Sequence, residues 1–381
     1  MRAHRIALWL AVGQLACSPG RARTSSSPEP AAPVFVPAPT REMPRAIEPP
    51  PPVTVVSPPP AVEPTTPQVA ATLIEGPAAP APASPAQHAR LLDSPEDPEP
   101  KLRGGIVKEL EDVSYIVGNE WSLDAFREVI TGLGGGYVGV GPDQAYLMMG
   151  WQRPEFAWLI DYDPKVMRVH AMYHALLRHC GSRKEFLAAF EPEATDAIAE
   201  MLDDTVADDR VRRLYRNNRD MFRWRLRSIE RKLARRRVPS WLTDDETYVF
   251  VRELVLGGRV RALRVNLLDD LGMVGIGDAA RELGVVVRVV YVSNAEEYWE
   301  QYAPQFERNL AALPSDARSL LLRTRLVWQV NRDYVYNAQP LQDFLAWLAA
   351  PGVETLEDVV GPKPAAQRDR INFVLTTARP P

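Results

Sequence analysis

Two glycines one residue apart, Gly139 and Gly141, close a short apolar run that begins at Gly136. Glycines in such a turn let the backbone approach a ligand closely, and a helix starting just beyond offers unbonded N–H groups. Asp161 lies twenty positions past Gly141. At that spacing a carboxylate after the second strand reaches a ribose hydroxyl of a nucleoside-containing cofactor. Gln144 stands where the dinucleotide fingerprint has its third glycine, which counts against NAD and FAD. A tight turn without any ligand is the competing reading.

Three further groups sit where strands of this pattern end. Asp269 and Asp270 have the chemistry to orient or deprotonate an acceptor, and the Asn294 amide could hold one. Each is equally suited to capping a helix or making a turn. His170 and His174 have the i, i+4 spacing of a zinc pair, but Ala171 replaces the Glu of the metalloprotease motif, and no metal is expected. No serine-hydrolase elbow and no phosphate loop of the Gly-Lys-Ser/Thr kind occurs. Cys180, a lone thiol at a helix end, reads as buried and inert.

The elements that must position these residues alternate. Strand patterns at about 136–141, 156–160, 260–265, 285–292, 319–324 and 371–376 are separated by helical ones near 145–149, 165–179, 276–283, 296–310 and 343–349. Residues 184–255 carry helical periodicity only and read as an insertion. Such alternation predicts an α/β, Rossmann-like, mostly parallel sheet with helices on both faces.

The stretch Tyr137-Val-Gly-Val-Gly-Pro-Asp-Gln-Ala-Tyr146, with Arg153-Pro-Glu-Phe-Ala-Trp-Leu-Ile-Asp161 after it, resembles a bacterial family with a class I methyltransferase-like Rossmann core. Val260–Arg264, Ile276–Leu283, Tyr291–Asn294 and Asn309–Pro314 are similar too, so the resemblance spans roughly residues 115–325. It implies an S-adenosylmethionine pocket formed by Gly139, Gly141, Asp143, Gln144 and Asp161. Tyr137 departs from that pattern, since an acidic residue often binds the methionine amine at its position.

Composition divides the chain before any fold is considered. It has 381 residues and 36 prolines, and 23 of those fall between residues 19 and 100. Residues 18–100, rich in Pro, Ala, Ser, Thr and Glu, are expected to form a disordered linker, leaving the α/β domain to 101–381. Two cysteines exclude a disulfide scaffold. Ahead of the linker, Arg2, His4 and Arg5 precede the apolar Ile6–Val12, and Leu15-Ala16 precede Cys17. Residues 1–17 thus read as an export signal whose end is similar to a bacterial lipobox, with Gln14 where that motif usually has Leu. Cys17 is then the lipidation site and a membrane the partner, with plain secretion as the alternative.

The net charge of −4 gives no expectation of a nucleic-acid partner. Locally, 13 Lys or Arg fall between Arg210 and Arg237, on what reads as one long amphipathic helix. Its basic face could bind phosphates on lipid headgroups, lipopolysaccharide or nucleic acid, or be a solvated face paired with nearby acids. Two functions therefore stand: an exported methyltransferase-like protein with an unknown acceptor, or a cell-envelope binding module on the same fold without chemistry.

Overall fold

The computed structural model describes residues 78–99, 114–327, 333–361 and 372–377. Seven strands form one sheet: β1 Gly136–Val140, β2 Phe156–Asp161, β3 Val260–Arg264, β4 Val287–Ser293, β5 Leu320–Leu326, β6 Tyr334–Pro340 and β7 Asn372–Leu375. The helices that concern the site are α1 Pro85–Leu92, α2 Gln144–Gln152, α3 Pro164–His179, α4 Arg183–Ala188, α5 Thr195–Thr205, α6 Asp209–Arg236, α7 Asp245–Leu256, α8 Gly272–Glu282, α9 Pro304–Ala311 and α10 Leu341–Leu348.

The strand order is β3-β2-β1-β4-β5-β6-β7. β1 to β5 are parallel, β6 pairs antiparallel with β5, and β7 pairs parallel with β6. The fold is Rossmann-like, as the alternation predicts. Winding runs outward from β1 through β2 to β3, then returns to place β4 on the other side of β1, so a crevice opens above the carboxyl ends of β1 and β4. Successive side chains along each strand alternate between the sheet's two faces. Tyr137, Leu159, Val289 and Tyr291 pack under α2, α3 and the helical insertion, while Val138, Trp158, Val290 and Val292 pack under α8, α9 and α10.

Local signals account for the helices flanking the crevice. Asp163 caps α3, its Oδ1 accepting from Lys165 N at 2.8 Å, and Pro164 occupies the first helical position. All nine residues of α2 are buried, so that helix has no solvent face. Residues 183–256 contain helices and no strand, with α6 running 28 residues against α3 and α5.

Three expectations need correction. β6 lies in a stretch that the strand patterns omit, and the helix expected over 296–310 is a 3-10 turn, Ala295–Tyr298, followed by α9. Pro304, which starts α9, explains the restart. The third correction concerns the linker. Its expected disorder over residues 18–77 lies outside the described residues, but residues 78–99 are ordered against the domain. Ser84 and Gln87 make a capping box for α1, and Leu91 is fully buried. This N-terminal arm follows β3. Arg259 Nε donates to Ala81 O at 2.6 Å, Arg261 donates to the Leu91 carbonyl at 3.0 Å, and Asp97 N and O bond Arg264 at 3.0 and 2.8 Å.

Asp97 fixes the arm's end. Its buried carboxylate accepts from Asn266 N, Leu271 N and Gly272 N at 3.0–3.1 Å, covering the exposed donors at the start of α8. Asp97→Ala leaves those donors unmet and should lower the unfolding free energy by about 2 kcal/mol in urea titration. A change below about 0.5 kcal/mol would mean that the arm is not part of the cooperative fold.

Candidate functional site

A cavity of about 230 Å³ occupies the crevice at the carboxyl ends of β1 to β4. The β1 turn supplies Val140, Gly141 and Gln144, the end of β2 supplies Asp161 and Asp163, and the end of β3 supplies Val265, Asn266 and Leu267. From β4 come Ser293 and Asn294, followed by Tyr298 and Trp299. The segment Tyr115–Asn119 crosses above and completes the wall, so the cavity is roofed by the chain that precedes the sheet.

Gly141 is required where it stands. Its φ is +92°, and a Cβ there would lie 2.8 Å from the Gln144 amide nitrogen. Gly139 has a different reason. A Cβ at 139 would overlap the Tyr137 hydroxyl, so that glycine makes room for a side chain of its own strand, and it does not line the cavity. The expectation that Gly139 contacts a cofactor is therefore corrected.

Asp143 is corrected as well. Its carboxylate turns away from the cavity and is 3 % exposed. Oδ2 pairs with Arg225 Nε of α6 at 2.8 Å, and Oδ1 accepts from Gly118 N at 2.5 Å. Arg225, itself fully buried, also donates from Nη2 to Glu120 O at 2.8 Å and stacks over the Trp121 ring at 4.8 Å. One guanidinium thus holds together the glycine turn, the crossing segment and the insertion.

Asp161 lines the cavity. Its Oδ1 accepts from Asp163 N at 2.9 Å. Burial, opposed by backbone N–H groups and reinforced by the neighbouring Asp163 charge, pushes its carboxyl up to about 7. The group can therefore accept hydrogen bonds as a carboxylate or donate one as an acid near neutral pH.

Of the groups proposed for catalysis, only Asn294 lines the cavity. Asp269 and Asp270 stand in the turn that leads into α8. Asp269 N donates to Asn266 O, its carbonyl accepts from Asn309 Nδ2 at 2.7 Å, and Asp270 is exposed. Both aspartates serve as turn residues, and the catalytic expectation for them is corrected.

Glu120 is the residue that sequence reasoning misses. It is fully buried beside the cavity and accepts from Gln144 Nε2 at 3.0 Å, Tyr291 OH at 2.8 Å and Ser293 Oγ at 2.6 Å. Ser293 takes a φ of +54° at the end of β4, an uncommon conformation for a residue with a side chain. Tyr115, Asn119 and Tyr298 in the wall carry no motif either; their only signal is position relative to the strand ends.

The remaining sequence candidates play packing roles. His170 is buried with Nδ1 3.1 Å from Tyr146 OH, and burial pushes both His170 and His174 down to about 3, so neither carries charge. Among the described residues no group of three or more His, Cys, Asp or Glu is placed to hold a metal ion. Burial raises the Cys180 thiol to about 12. On α6, nine of the 13 cations between Arg210 and Arg237 form ion pairs, with Asp208, Asp203, Asp209, Asp196, Asp220, Glu191, Asp143 and Asp124 among the partners. The basic face is thus largely neutralised by the protein itself. No helix among the described residues is long and apolar enough to cross a membrane.

The Asp161 shift has a stability consequence. Between about pH 4, where the unfolded chain loses this proton, and about pH 7, where the fold does, the native state binds one proton more. Stability must then fall as pH rises through that window. Relative to Asp161→Asn, the wild type should lose up to roughly 4 kcal/mol between pH 4 and 7 in denaturant titrations. A pH-independent difference between the two proteins would refute the shifted carboxyl.

Comparison with known proteins gives a family without an assigned chemistry. No curated protein matches the chain. Among solved structures, the rRNA methyltransferase aviRa from Streptomyces viridochromogenes is similar over 53 % of this chain and 71 % of that one, at 14 % identity and a TM-score of 0.25. An overlap this partial carries nothing about reaction or ligand. Residues 115–372, which span β1 to β6 and the whole cavity wall, match the family described as Domain of unknown function (DUF7790), and the chain belongs to that family.

Proposed function

We propose that the cavity binds a nucleoside-containing cofactor of the S-adenosylmethionine type, making this a methyltransferase-like protein whose acceptor is a small molecule or other group yet to be identified. The observation that carries the reading is the meeting of Gly141 and Asp161 in one cavity at the point where the sheet reverses its winding. The donor set fits such a group. Asp161 suits ribose hydroxyls, Val140, Val166, Val265 and Leu267 offer apolar walls for a base, and Gln144 Oε1 is a buried acceptor with no partner of its own.

When bound, S-adenosylmethionine supplies an electrophilic methyl group on a sulfonium. The chain's part is to exclude water beneath Tyr115 and Tyr298, to orient the nucleoside through Asp161, and to hold an acceptor by the Asn294 amide. A second reading, a binding module without transfer, is favoured by the departure of Asp269 and Asp270 from the cavity. Calorimetry with S-adenosylmethionine and its demethylated product separates the possibilities. Wild type should bind both, and Asp161→Ala should weaken each at least tenfold. Binding with no product formed across candidate acceptors would favour the module, and no binding by wild type would sink both readings.

We also infer export and lipid attachment at Cys17, which makes a membrane the partner and the cell envelope the location. Support comes from the basic start, the short apolar run and the small residues before Cys17. Contact with an anionic surface would then fall to the exposed Arg231, Arg235 and Arg237 at the end of α6. Metabolic labelling with a fatty-acid analogue should mark the wild type and not Cys17→Ser. Unlabelled wild-type protein would refute the anchor.

A further inference from the structure

The N-terminal arm ends against the cavity wall. Val265, Asn266, Leu267 and Leu268, which follow β3, line the cavity, and the turn beyond them starts α8. That loop is clamped from two sides. Asn309 of α9 donates from Nδ2 to the Leu267 and Asp269 carbonyls at 2.9 and 2.7 Å, whereas Asp97 of the arm accepts from the N–H groups of Asn266, Leu271 and Gly272. The carbonyls thus depend on a helix of the core, and the donors depend on the arm. A loop has no ladder of its own, so its backbone groups keep a single shape only while such partners remain.

The domain is shaped to receive the arm. A Cβ at Gly275 would overlap the Pro95 ring, and one at Gly272 would lie 2.7 Å from Asp97 Oδ2, so α8 is recessed where the arm passes. Leu91 sits in the same apolar cluster as Val265, Leu267, Met273 and Ile276. Yet the arm is lightly held. It adds no strand to the sheet, its bonds to β3 run largely through the Arg261 and Arg264 side chains, and Leu91 is the one buried residue of α1. A segment with so little buried apolar surface lies at the low-stability end of a fold, where local release precedes global unfolding.

We propose that the arm is a releasable strap that regulates the cavity. Docked, it fixes the β3 wall through Asp97 in the shape that receives a ligand; released, it frees the Asn266–Gly272 backbone and lowers ligand affinity. Coupling of this kind is reciprocal, so a ligand in the cavity must also hold the arm down. The inference deepens the cavity reading by naming how that site is regulated, and only its ligand half rests on the nucleoside assignment. Asp97 is a positioning residue, since it holds the loop and does not itself line the cavity.

Hydrogen exchange of the full chain, resolved to single amides by mass spectrometry, tests the strap without a ligand. Leu91→Asp places a charge in the apolar cluster, and Gly275→Ala puts a methyl where Pro95 lies while giving α8 the better helix former, so both dislodge the arm without touching the loop's own bonds. In each variant the α1 amides should exchange at least tenfold faster than in wild type, and so should Leu268 N, which bonds Asn266 Oδ1 and no arm atom. Amides of β1 and β4 should stay within twofold, which also shows that the sheet remains folded. A free arm with Leu268 unchanged overturns the strap. So does an arm that stays protected in both variants, or one whose release speeds β1 and β4 equally, because it is then a fixed part of the core. Calorimetry with the demethylated product of S-adenosylmethionine supplies the second half. Both variants should bind it at least fivefold more weakly than wild type, and saturating wild type should slow exchange of the α1 amides at least fivefold. Equal affinity across the three proteins overturns the regulation. No binding by wild type overturns the nucleoside assignment and leaves the exchange result to decide the strap.

Discussion

The Arg225–Asp143 ion pair is the constraint on which the site depends. Both side chains are out of contact with water, at 0 % and 4 % exposure, and the guanidinium bridges three segments of chain. Removing one member of such a pair strands the other in a poorly polarisable interior, at a cost of about 3–5 kcal/mol. The pair stands directly beneath the glycine turn, so the backbone at Gly141 and the start of α2 inherit its position. The helical insertion is therefore a brace for the crevice. It cannot be trimmed from the sheet as a peripheral addition.

Two kinds of structure meet in the cavity wall. The ends of β1 to β4 provide a crevice that follows from winding order alone and says little about its contents. What is particular to this chain comes from the crossing segment, where Gly118 bonds Asp143, Glu120 enters the interior and Tyr115 contributes to the roof. Ser293 supports this arrangement from β4, its left-handed backbone aiming the hydroxyl at Glu120. Strain held at such a position is consistent with a site whose geometry is fixed before a ligand arrives.

The sequence is informative where the governing interaction is local. β1, the turn at Gly141 and the capped start of α3 can be read from alternation, glycine and an Asp-Pro pair, because neighbours within a few residues decide them. Asp161 is legible for the same reason, as spacing along one strand-helix-strand unit fixes it. Asp143 misleads because its partner lies 82 residues away, and a carboxylate at a helix start looks the same whether it faces a ligand or an arginine. Gly139 misleads likewise, since glycine beside a bulky side chain and glycine beside a cofactor are indistinguishable in one sequence. Glu120 gives no signal at all, its partners being 24, 171 and 173 positions distant.

The arm formed by residues 78–99 lies along β3, and β3 is the outermost strand on its side of the sheet. An outermost strand presents backbone donors and acceptors that would pair readily with another chain. Here arginines of β3 and its approach grip the arm's carbonyls and keep that flank occupied. Proteolysis that released the arm would uncover the strand and leave a domain inclined to self-association, sheet flank to sheet flank. The proline-rich composition at the front of this protein thus ends in a segment that lines the outer flank of β3.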